Sequence, residues 1–369
     1  MICYKKSFLL QWILLSLLGA ANIAHSETAA SNCSAIKHDG ERLACYDSRA
    51  KLAEKALAKE APVTTMSAPL STEEATNENI PQIAQLTAQQ DGRAISKKTI
   101  PESSLSRAWE LNAESKSGTF NISTYHPTYF LFAQYSSDIN KSPSSPAPNH
   151  NLPGGTSLDL MSSEAKFQIS GKTKVWENIA NQDVDLWVAY TQQSSWQVYN
   201  SRRSAPFRET NYEPEIILSI PTRWELFGLN WRMLNLGFVH KSNGRPLPQS
   251  RSWNRAYAQF GLEKDNFTLL VRPWLRTPER DGDDDNPDIS KYMGNGDVRA
   301  IYKVGKNVFS ALGRYSFSGK KGALELDWAF PISGALKGYM RAFNGYGESL
   351  IDYNHKQTTL GAGVTLSTW

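Results

Sequence analysis

A short polar stretch at residues 240–254, HKSNGRPLPQSRSWN, contains the residue types that hydrolases use for nucleophilic catalysis. His240 and Ser242 stand two residues apart, and Asn254 closes the stretch. A serine hydroxyl becomes a nucleophile when a neighbouring histidine takes its proton, and a third polar group can hold that histidine in orientation. A His-x-Ser pair also occurs by chance in polar surface turns. Which interpretation holds depends on how the secondary-structure elements that carry these residues position them.

Those elements are predicted to be strands. From about residue 125 onward the sequence consists of segments of about ten to seventeen residues, rich in aromatic and β-branched side chains and separated by short turns. No apolar run in this part reaches the length of a membrane helix. We predict twelve strands, at approximately 126–137, 161–174, 183–199, 211–223, 225–241, 251–263, 265–277, 290–303, 306–317, 320–332, 334–346 and 355–368.

Several of these segments alternate between apolar and polar residues, as residues 183–190 and 255–263 do. Successive side chains of a strand point to opposite faces, so one face is apolar and the other carries charge. Charge on one face of so many long strands argues against a soluble sandwich and favours a barrel with lipid outside and a polar interior. The sequence therefore predicts an all-β fold, a twelve-stranded antiparallel transmembrane β-barrel with a small N-terminal periplasmic extension.

The composition agrees with a membrane barrel. Aromatic residues make up 11% of the chain, with 11 Trp and 15 Tyr, which suits aromatic girdles at the membrane interfaces. The formal net charge of +4 is too small to argue for a nucleic-acid partner.

The N-terminus is predicted to be a cleaved secretory signal at residues 1–26. Lys5 and Lys6 precede an apolar run, and a small-residue cleavage pattern ends at Ser26. The run is shorter than the ~20 apolar residues that a spanning helix needs, although a single membrane anchor is the alternative. Export without a helical stop signal predicts insertion into the outer membrane of a Gram-negative bacterium.

Between the signal and the barrel, the sequence predicts a small module and a linker. Cys33 and Cys45, twelve residues apart, are expected to form a disulfide in an exported chain. A metal site is the weaker alternative, because His38 is the only histidine between them. The domains predicted after the signal are a cysteine-containing module at 27–60, a disordered linker at 61–105 and the barrel at 106–369.

The alternation places the candidate residues on one face. His240 and Ser242 continue the apolar parity of residues 234–242, and Asn254 shares the apolar parity of residues 254–262. A hairpin would set these two strands side by side. Polar side chains on a lipid-facing wall are costly unless they satisfy one another, which favours a functional constellation. A polar patch above the membrane edge is the alternative.

The other hydrolase signals do not apply. No G-x-S-x-G elbow occurs in the chain, so the arrangement is not that of an α/β-hydrolase. His126, His150 and His355 lack a comparable serine neighbour and are expected to be loop or girdle residues.

Four longer motifs resemble the outer-membrane phospholipase A family. They are HKSNGR with SRSWNR within 240–255, APFRETNYEP at 205–214, DDNPDISKYMG at 284–294 and GYGESLIDYN at 345–354. Their order and spacing also fit, and the resemblance covers about 125–369. Residues 27–105 lie outside this pattern.

The resemblance implies a twelve-stranded barrel that uses calcium to hydrolyse acyl esters of phospholipids, including A1, A2 and lysophospholipid cleavage. It implies that Ser242 is the nucleophile, His240 the general base and Asn254 the residue that orients the base. The Gly244 amide, together with a calcium-bound water, would stabilise the oxyanion.

The resemblance also implies an active homodimer with calcium at its seam. The carbonyl oxygens of Arg245 and Ser250 would hold the ion, and Ser204 would reach it from the partner subunit. Gln192 matches a polar residue of the dimer interface.

The sequence departs from the family at one position. A second calcium site, in the monomer, would use Asp285 and an aspartate two residues after the arginine, where this chain has Leu247. Leucine offers no oxygen ligand, which puts the monomer site in doubt. A non-catalytic outer-membrane channel or structural barrel is the alternative function.

Overall fold

The structure, a computed structural model, describes residues 37–38, 40–41, 43–45, 47–48, 103–154, 156–280 and 282–366. The chain forms two units, Met1–Gly92 and Arg93–Trp369. In the first unit, the described residues between 40 and 48 are helical, and Cys45 is disulfide-bonded. Cys33, its expected partner, lies outside the described residues, as do the predicted signal peptide and most of the predicted linker.

The second unit consists mainly of antiparallel strands joined by hairpins. In chain order the strands are β1 Ile122–Thr124, β2 Tyr129–Ser136, β3 Ser163–Trp176, β4 Asp185–Trp196, β5 Phe207–Leu226, β6 Leu229–Ser242, β7 Ser252–Lys264, β8 Phe267–Arg276, β9 Gly296–Val304, β10 Asn307–Ser316, β11 Lys321–Ser333, β12 Leu336–Tyr346 and β13 Lys356–Thr365. In the described part of this unit two short α-helices accompany them, α1 Ser104–Trp109 and α2 Ser290–Met293.

The sheet closes on itself. Each strand from β2 to β13 pairs with the next, and β13 pairs with β2, which gives a closed barrel of 12 strands. The short strand β1 pairs with the far end of β3. A break at residues 125–128 separates β1 from β2, which pairs with the other end of β3. Pro127 lies in this break, and proline has no N–H to donate to a strand ladder. The predicted twelve-stranded antiparallel barrel is confirmed.

One predicted strand begins later than expected. The segment predicted at 290–303 starts with α2, and β9 begins only at Gly296. The cap residue Gly294 has a φ of 72°, in the left-handed region that favours glycine, and its N–H closes the helix on the Ser290 carbonyl. A periodicity analysis cannot detect a single helical turn in front of a strand.

The barrel wall separates apolar from polar side chains. Along β6, the outward-facing Leu236 and Phe238 are 43% and 44% exposed, whereas the inward-facing Asn235 is 0% exposed. Exposed aromatic and aliphatic residues recur on the outer face of the other strands, for example Val188 on β4 and Trp328 on β11. An apolar outer band of this kind is the surface that a transmembrane barrel presents to lipid.

Ion pairs fill the interior. Lys166 on β3 contacts the Glu348 carboxylate at 2.5 Å, and both side chains are buried. Arg208 on β5 contacts Glu164 at 2.8 Å and reaches Asp352 of the β12–β13 loop at 2.9 Å. An unpaired ion in such a place costs several kcal/mol, so the lumen is stable only because its charges are paired. The pairs formed by Glu348 and Asp352 also hold the β12–β13 loop against the barrel strands.

The helix α1 packs into the same interior. Trp109 is 6% exposed and meets the ring of Trp187 edge-on at 5.8 Å, and the Leu105 N–H donates to the Glu263 carboxylate at 3.1 Å. The segment that precedes the first strand is therefore folded against the inner wall. Among the described residues, no helix is long and apolar enough to cross a membrane.

We expect the closed wall to resist detergent. Because β2 to β13 close into one hydrogen-bonded wall, unheated protein should keep its barrel in SDS and migrate differently from boiled protein. Gel electrophoresis of heated and unheated samples measures this, with circular dichroism as the control for strand content. Identical mobility together with a mainly helical spectrum would contradict the barrel.

Candidate active site

The β6–β7 hairpin places the three candidate catalytic side chains. His240 lies directly opposite Asn254 in the register of β6 and β7, and Ser242 lies opposite Ser252. Alternation along β6 puts His240 and Ser242 on the outward face that carries Leu236 and Phe238. The structure brings His240 and Asn254 together and places Ser242 two residues further along the same face of β6.

A bulge interrupts the alternation at the start of β6. The register against β7 shifts between Trp231 and Met233, where one strand carries an additional residue. Such a bulge reverses which alternate residues face outward. The alternation that leads to His240 is therefore regular only after this point.

His240 and Asn254 are hydrogen-bonded. The distance from His240 Nδ1 to Asn254 Oδ1 is 2.8 Å, and the side chains are half-buried. An amide oxygen accepts only, so this contact requires a proton on Nδ1. The Nε2 atom of a neutral ring is then left as the acceptor, which is the form that a general base needs.

Ser242 supplies a hydroxyl on the same face. It ends β6, and it lies opposite Tyr212 of β5 as well as Ser252 of β7. Within the described residues no hydrogen bond joins the Ser242 hydroxyl to His240. Contacts of this kind are often loose in a resting site and shorten when substrate binds.

Gly244 lies two residues after Ser242, in the β6–β7 loop. Its φ is 61°, and a Cβ at this position would stand 3.2 Å from the Tyr212 ring, so both backbone conformation and space favour glycine. Among the described residues, no acceptor takes the Gly244 N–H. A free backbone N–H beside a nucleophile is the donor that an oxyanion requires.

Asn243 holds the loop that follows. Its Oδ1 accepts from the Arg245 N–H at 3.3 Å and from the Arg251 N–H at 3.0 Å, and its Nδ2 donates to the Gln249 carbonyl at 2.8 Å. Arg245 in turn contacts the buried Glu209 carboxylate at 3.2 Å. These bonds fix the two ends of the loop, and with them the direction of its carbonyl groups.

The loop offers oxygen ligands of the kind that calcium prefers. The Arg245 carbonyl accepts no hydrogen bond from any described residue, and the Ser250 carbonyl accepts one, from the Arg251 side chain at 2.6 Å. A carbonyl oxygen has two lone pairs, so both oxygens retain capacity for a cation. Calcium is a hard ion that takes six to eight oxygens, so these two carbonyls fit part of a calcium shell.

The carboxylate of Asp285 is engaged by protein donors. Ser250 Oγ and Ser252 Oγ donate to it at 2.8 and 3.2 Å, and His150 Nε2 lies 2.9 Å from its other oxygen. His150 lies in the β2–β3 loop, within the range of positions that the sequence suggested, and at 6% exposure it is a buried partner of Asp285. No local pattern could have indicated this contact, because the two residues are far apart in the chain. The role of Asp285 as a calcium ligand stays a prediction.

Ser204 and Gln192 both lie toward the outside. Ser204 is exposed in the β4–β5 loop, just after a short turn at Ser201–Arg203. Gln192 is opposite Tyr212, which is opposite Ser242, so Gln192 lies two strands away in the same row as Ser242. Its Oε1 accepts from the Tyr190 hydroxyl at 3.2 Å.

Glu279 is a neighbour that sequence reasoning missed. It lies in the β8–β9 loop, and its Oε1 is 3.5 Å from Asn254 Nδ2. No spacing or periodicity in the sequence connects residue 279 to the hairpin at 240–254.

Leu247→Asp is expected to tighten calcium binding by the monomer about tenfold, because a second carboxylate raises the ligand charge of the loop. Leu247 is 55% exposed, so the substitution does not disturb a core. Calorimetry of the monomeric detergent-solubilised protein measures the affinity. Leu247→Asn, which adds an oxygen without charge, is the control. Unchanged affinity in the aspartate variant would mean that no monomer site depends on this position.

Comparison with known proteins gives a consistent result. The family model described as phospholipase A1 matches residues 105–366. A putative phospholipase A1 of Neisseria meningitidis is 39% identical over 366 residues, which cover 96% of this chain and 95% of that protein. The phospholipase A1 of Escherichia coli K12 is 39% identical over 248 residues, covering 67% of this chain and 82% of that protein.

Two solved structures have the same barrel. Outer membrane phospholipase A from Escherichia coli aligns with a TM-score of 0.61 and 38% identity, over 69% of this chain and 94% of that one. The Salmonella typhi outer membrane phospholipase, described as a dimer with bound calcium, aligns with a TM-score of 0.62 and 37% identity, over 71% of this chain and 97% of that one.

Proposed function

The chain belongs to the outer-membrane phospholipase A family, and from this membership we propose that it hydrolyses acyl ester bonds of phospholipids at the outer wall of its barrel. It is an outer-membrane protein, so its substrate lies beside it in the same bilayer. The observation that carries the proposal is the 2.8 Å hydrogen bond between His240 Nδ1 and Asn254 Oδ1, next to Ser242 on the lipid-facing side.

Acylation starts at the Ser242 hydroxyl. Its oxygen attacks the ester carbonyl carbon of a lipid chain while its proton passes to His240 Nε2. The negative charge that develops on the carbonyl oxygen is stabilised by the Gly244 N–H. When the tetrahedral intermediate collapses, His240 returns the proton to the leaving glycerol oxygen. The fatty acyl group is then bonded to Ser242 and the lysophospholipid departs.

Deacylation repeats the sequence with water. His240 takes a proton from a water molecule, the hydroxide attacks the acyl carbon, and the proton goes back to the Ser242 oxygen as the fatty acid leaves. Asn254 keeps the imidazole in one tautomer through both halves and stabilises the positively charged ring that forms in each. Removal of the remaining acyl chain of a lysophospholipid follows the same steps.

Calcium is the cofactor that we propose for this site. The carbonyl oxygens of Arg245 and Ser250 would hold it in one subunit, and Ser204 of the partner subunit would complete part of its shell. When bound, calcium adds positive charge near the oxyanion and strengthens its stabilisation where lipid lowers the dielectric constant. A bound calcium in the Salmonella typhi relative supports this assignment.

A homodimer is the proposed active form. Gln192 is a polar side chain on the apolar outer face, with Ile169, Tyr190 and Tyr212 as its exposed neighbours. Polar groups in that position are costly against lipid and become favourable against a second polar surface. The row from Gln192 to Ser242 would therefore face its counterpart on the partner, which brings Ser204 of the partner subunit toward the calcium loop.

A lipid assay tests the proposal. Detergent-purified protein with calcium should release fatty acid and lysophospholipid from a phospholipid labelled separately in its two acyl chains. Release from both positions would match A1 and A2 activity, and subsequent loss of lysophospholipid would match lysophospholipid hydrolysis. Absence of any acyl release by correctly folded protein would contradict the proposal.

A non-catalytic channel or structural barrel has less support. Paired charges such as Lys166–Glu348 and Arg208–Glu164 occupy the described lumen, and α1 packs into it. An open aqueous path is not what such packing favours. Conductance of the protein in a planar bilayer would be the observation in favour of a channel.

A further inference from the structure

The side chain of Glu279 is an acidic group beside the β6–β7 hairpin, and the mechanism above does not use it. Its loop starts against that hairpin, because the Thr277 N–H donates to the Asn254 carbonyl at 2.9 Å. The Glu279 carboxylate then approaches Asn254 Nδ2 at 3.5 Å and is the partner of that amide nitrogen among the described residues. Asn254 thus lies between the imidazole of His240 and a carboxylate.

The two ends of an asparagine amide have similar shape and opposite hydrogen-bonding roles. Its nitrogen donates only and its oxygen accepts only, so its neighbours decide which end points where. An ionised carboxylate accepts only. Next to Glu279, the amide nitrogen of Asn254 is therefore favoured on the loop side, and the amide oxygen is favoured on the side of His240.

We infer that Glu279 is a positioning residue that acts through Asn254 to keep the proton of His240 on Nδ1. This inference rests on the proposed function. With Nδ1 protonated, Nε2 is free to take the proton of Ser242. If the amide of Asn254 turned over, its nitrogen would face Nδ1 as a donor and would favour the tautomer that cannot act as a base toward Ser242.

The surroundings of Glu279 bear on its charge. Partial burial, followed by the negative charge of Asp284, raises the pKa of the Glu279 carboxyl above its ordinary value. Asp285 acts in the same direction, whereas Arg276, and His240 when its ring is protonated, act against it. The ionised form is the one that orients Asn254, so this contribution is lost as the pH falls through the raised pKa.

A double-mutant cycle tests the coupling. Glu279→Gln keeps the size of the side chain but lets it donate as well as accept, so kcat should fall about tenfold, the size expected for one hydrogen bond to a charged group. KM should not change. In protein that already carries Asn254→Ala, the same substitution should have no further effect, because the group through which Glu279 acts is gone.

Asp283→Asn is the matched control, since it removes one negative charge from an exposed position in the same loop. It should leave kcat unchanged in both backgrounds. If Glu279→Gln lowered kcat equally in the wild-type and Asn254→Ala backgrounds, the inference would be overturned. No loss of kcat in either background would overturn it as well. The acid limb of log kcat against pH should also be less steep in Glu279→Gln than in the wild type.

A measurement without turnover separates this inference from the proposed function. Nitrogen-15 NMR of the imidazole in Ser242→Ala protein reports which ring nitrogen of His240 carries the proton. The Nδ1-protonated form should dominate with Glu279 and give way to a mixture in Glu279→Gln. An identical tautomer in both proteins would overturn the inference even if lipid hydrolysis is established. A changed tautomer, together with no lipid hydrolysis by the protein that retains Ser242, would uphold the positioning role and contradict the proposed function.

Discussion

Ser242→Ala is expected to lower phospholipid hydrolysis by several orders of magnitude, on the order of 10⁴-fold to 10⁶-fold. The substitution removes the nucleophilic oxygen and leaves the backbone pairing of β6 with β5 and β7 in place. Acyl transfer then has no covalent intermediate, and substrate binding, the base His240 and the oxyanion donors are what remain to favour direct attack by water. Initial rates of fatty acid release from mixed micelles measure the loss.

Two further variants separate the members of the triad. His240→Ala should cost about as much as the serine change, because nucleophile and base act as one unit. Asn254→Ala should cost less, since it removes only the group that orients the ring. All three variants should keep the heat-dependent gel mobility of the wild type, which shows an intact barrel. Full hydrolysis by the Ser242→Ala protein would contradict the proposed mechanism, and residues 240–254 would then be a polar turn.

Removing calcium is expected to lower activity by about 10²-fold to 10³-fold, the range found when one source of oxyanion stabilisation is lost. Titration of a chelator into the lipid assay, followed by return of calcium, measures both the loss and its reversal. Magnesium should not restore the rate, because it demands six ligands at short distances and releases its waters reluctantly.

The control for this experiment is again the gel mobility of unheated protein, which should not change with chelator because the paired wall holds no calcium ligand of the proposed site. An unchanged rate in excess chelator would contradict the assignment of calcium to the carbonyl oxygens of Arg245 and Ser250. A loss of rate that accompanies unfolding would instead place calcium among the determinants of stability.

Much of the fold, and the pairing of His240 with Asn254, could be predicted because the information is local. Alternation along each strand gives the lipid-facing parity, and a short hairpin brings neighbouring strands together, so His240 and Asn254 could be placed opposite each other. The bulge between Trp231 and Met233 interrupts the alternation of inward-facing and outward-facing residues at the start of β6 only. The barrel follows from repeating the same local rule along the chain.

Contacts between loops could not be predicted in this way. His150 meets Asp285 across 135 residues of sequence, and Glu279 meets Asn254 from a loop without any periodicity. The loop positions depend on how the strands beneath them twist and on ion pairs such as Arg208 with Asp352. A single sequence contains no direct sign of which loops share one end of a barrel.

The seam between β2 and β13 has a consequence for assembly. Thr365 Oγ1 donates to the Thr128 carbonyl, 237 residues away along the chain, so the first and last strands of the wall must find each other. Bringing such distant segments together lowers the chain entropy before the contacts between them form and stabilise the wall. This step is therefore intrinsically slow. Until it occurs, two strand edges stay open and are able to recruit other chains. Successful biogenesis therefore depends on how quickly the C-terminal strand is delivered to its place, and aggregation competes with that delivery.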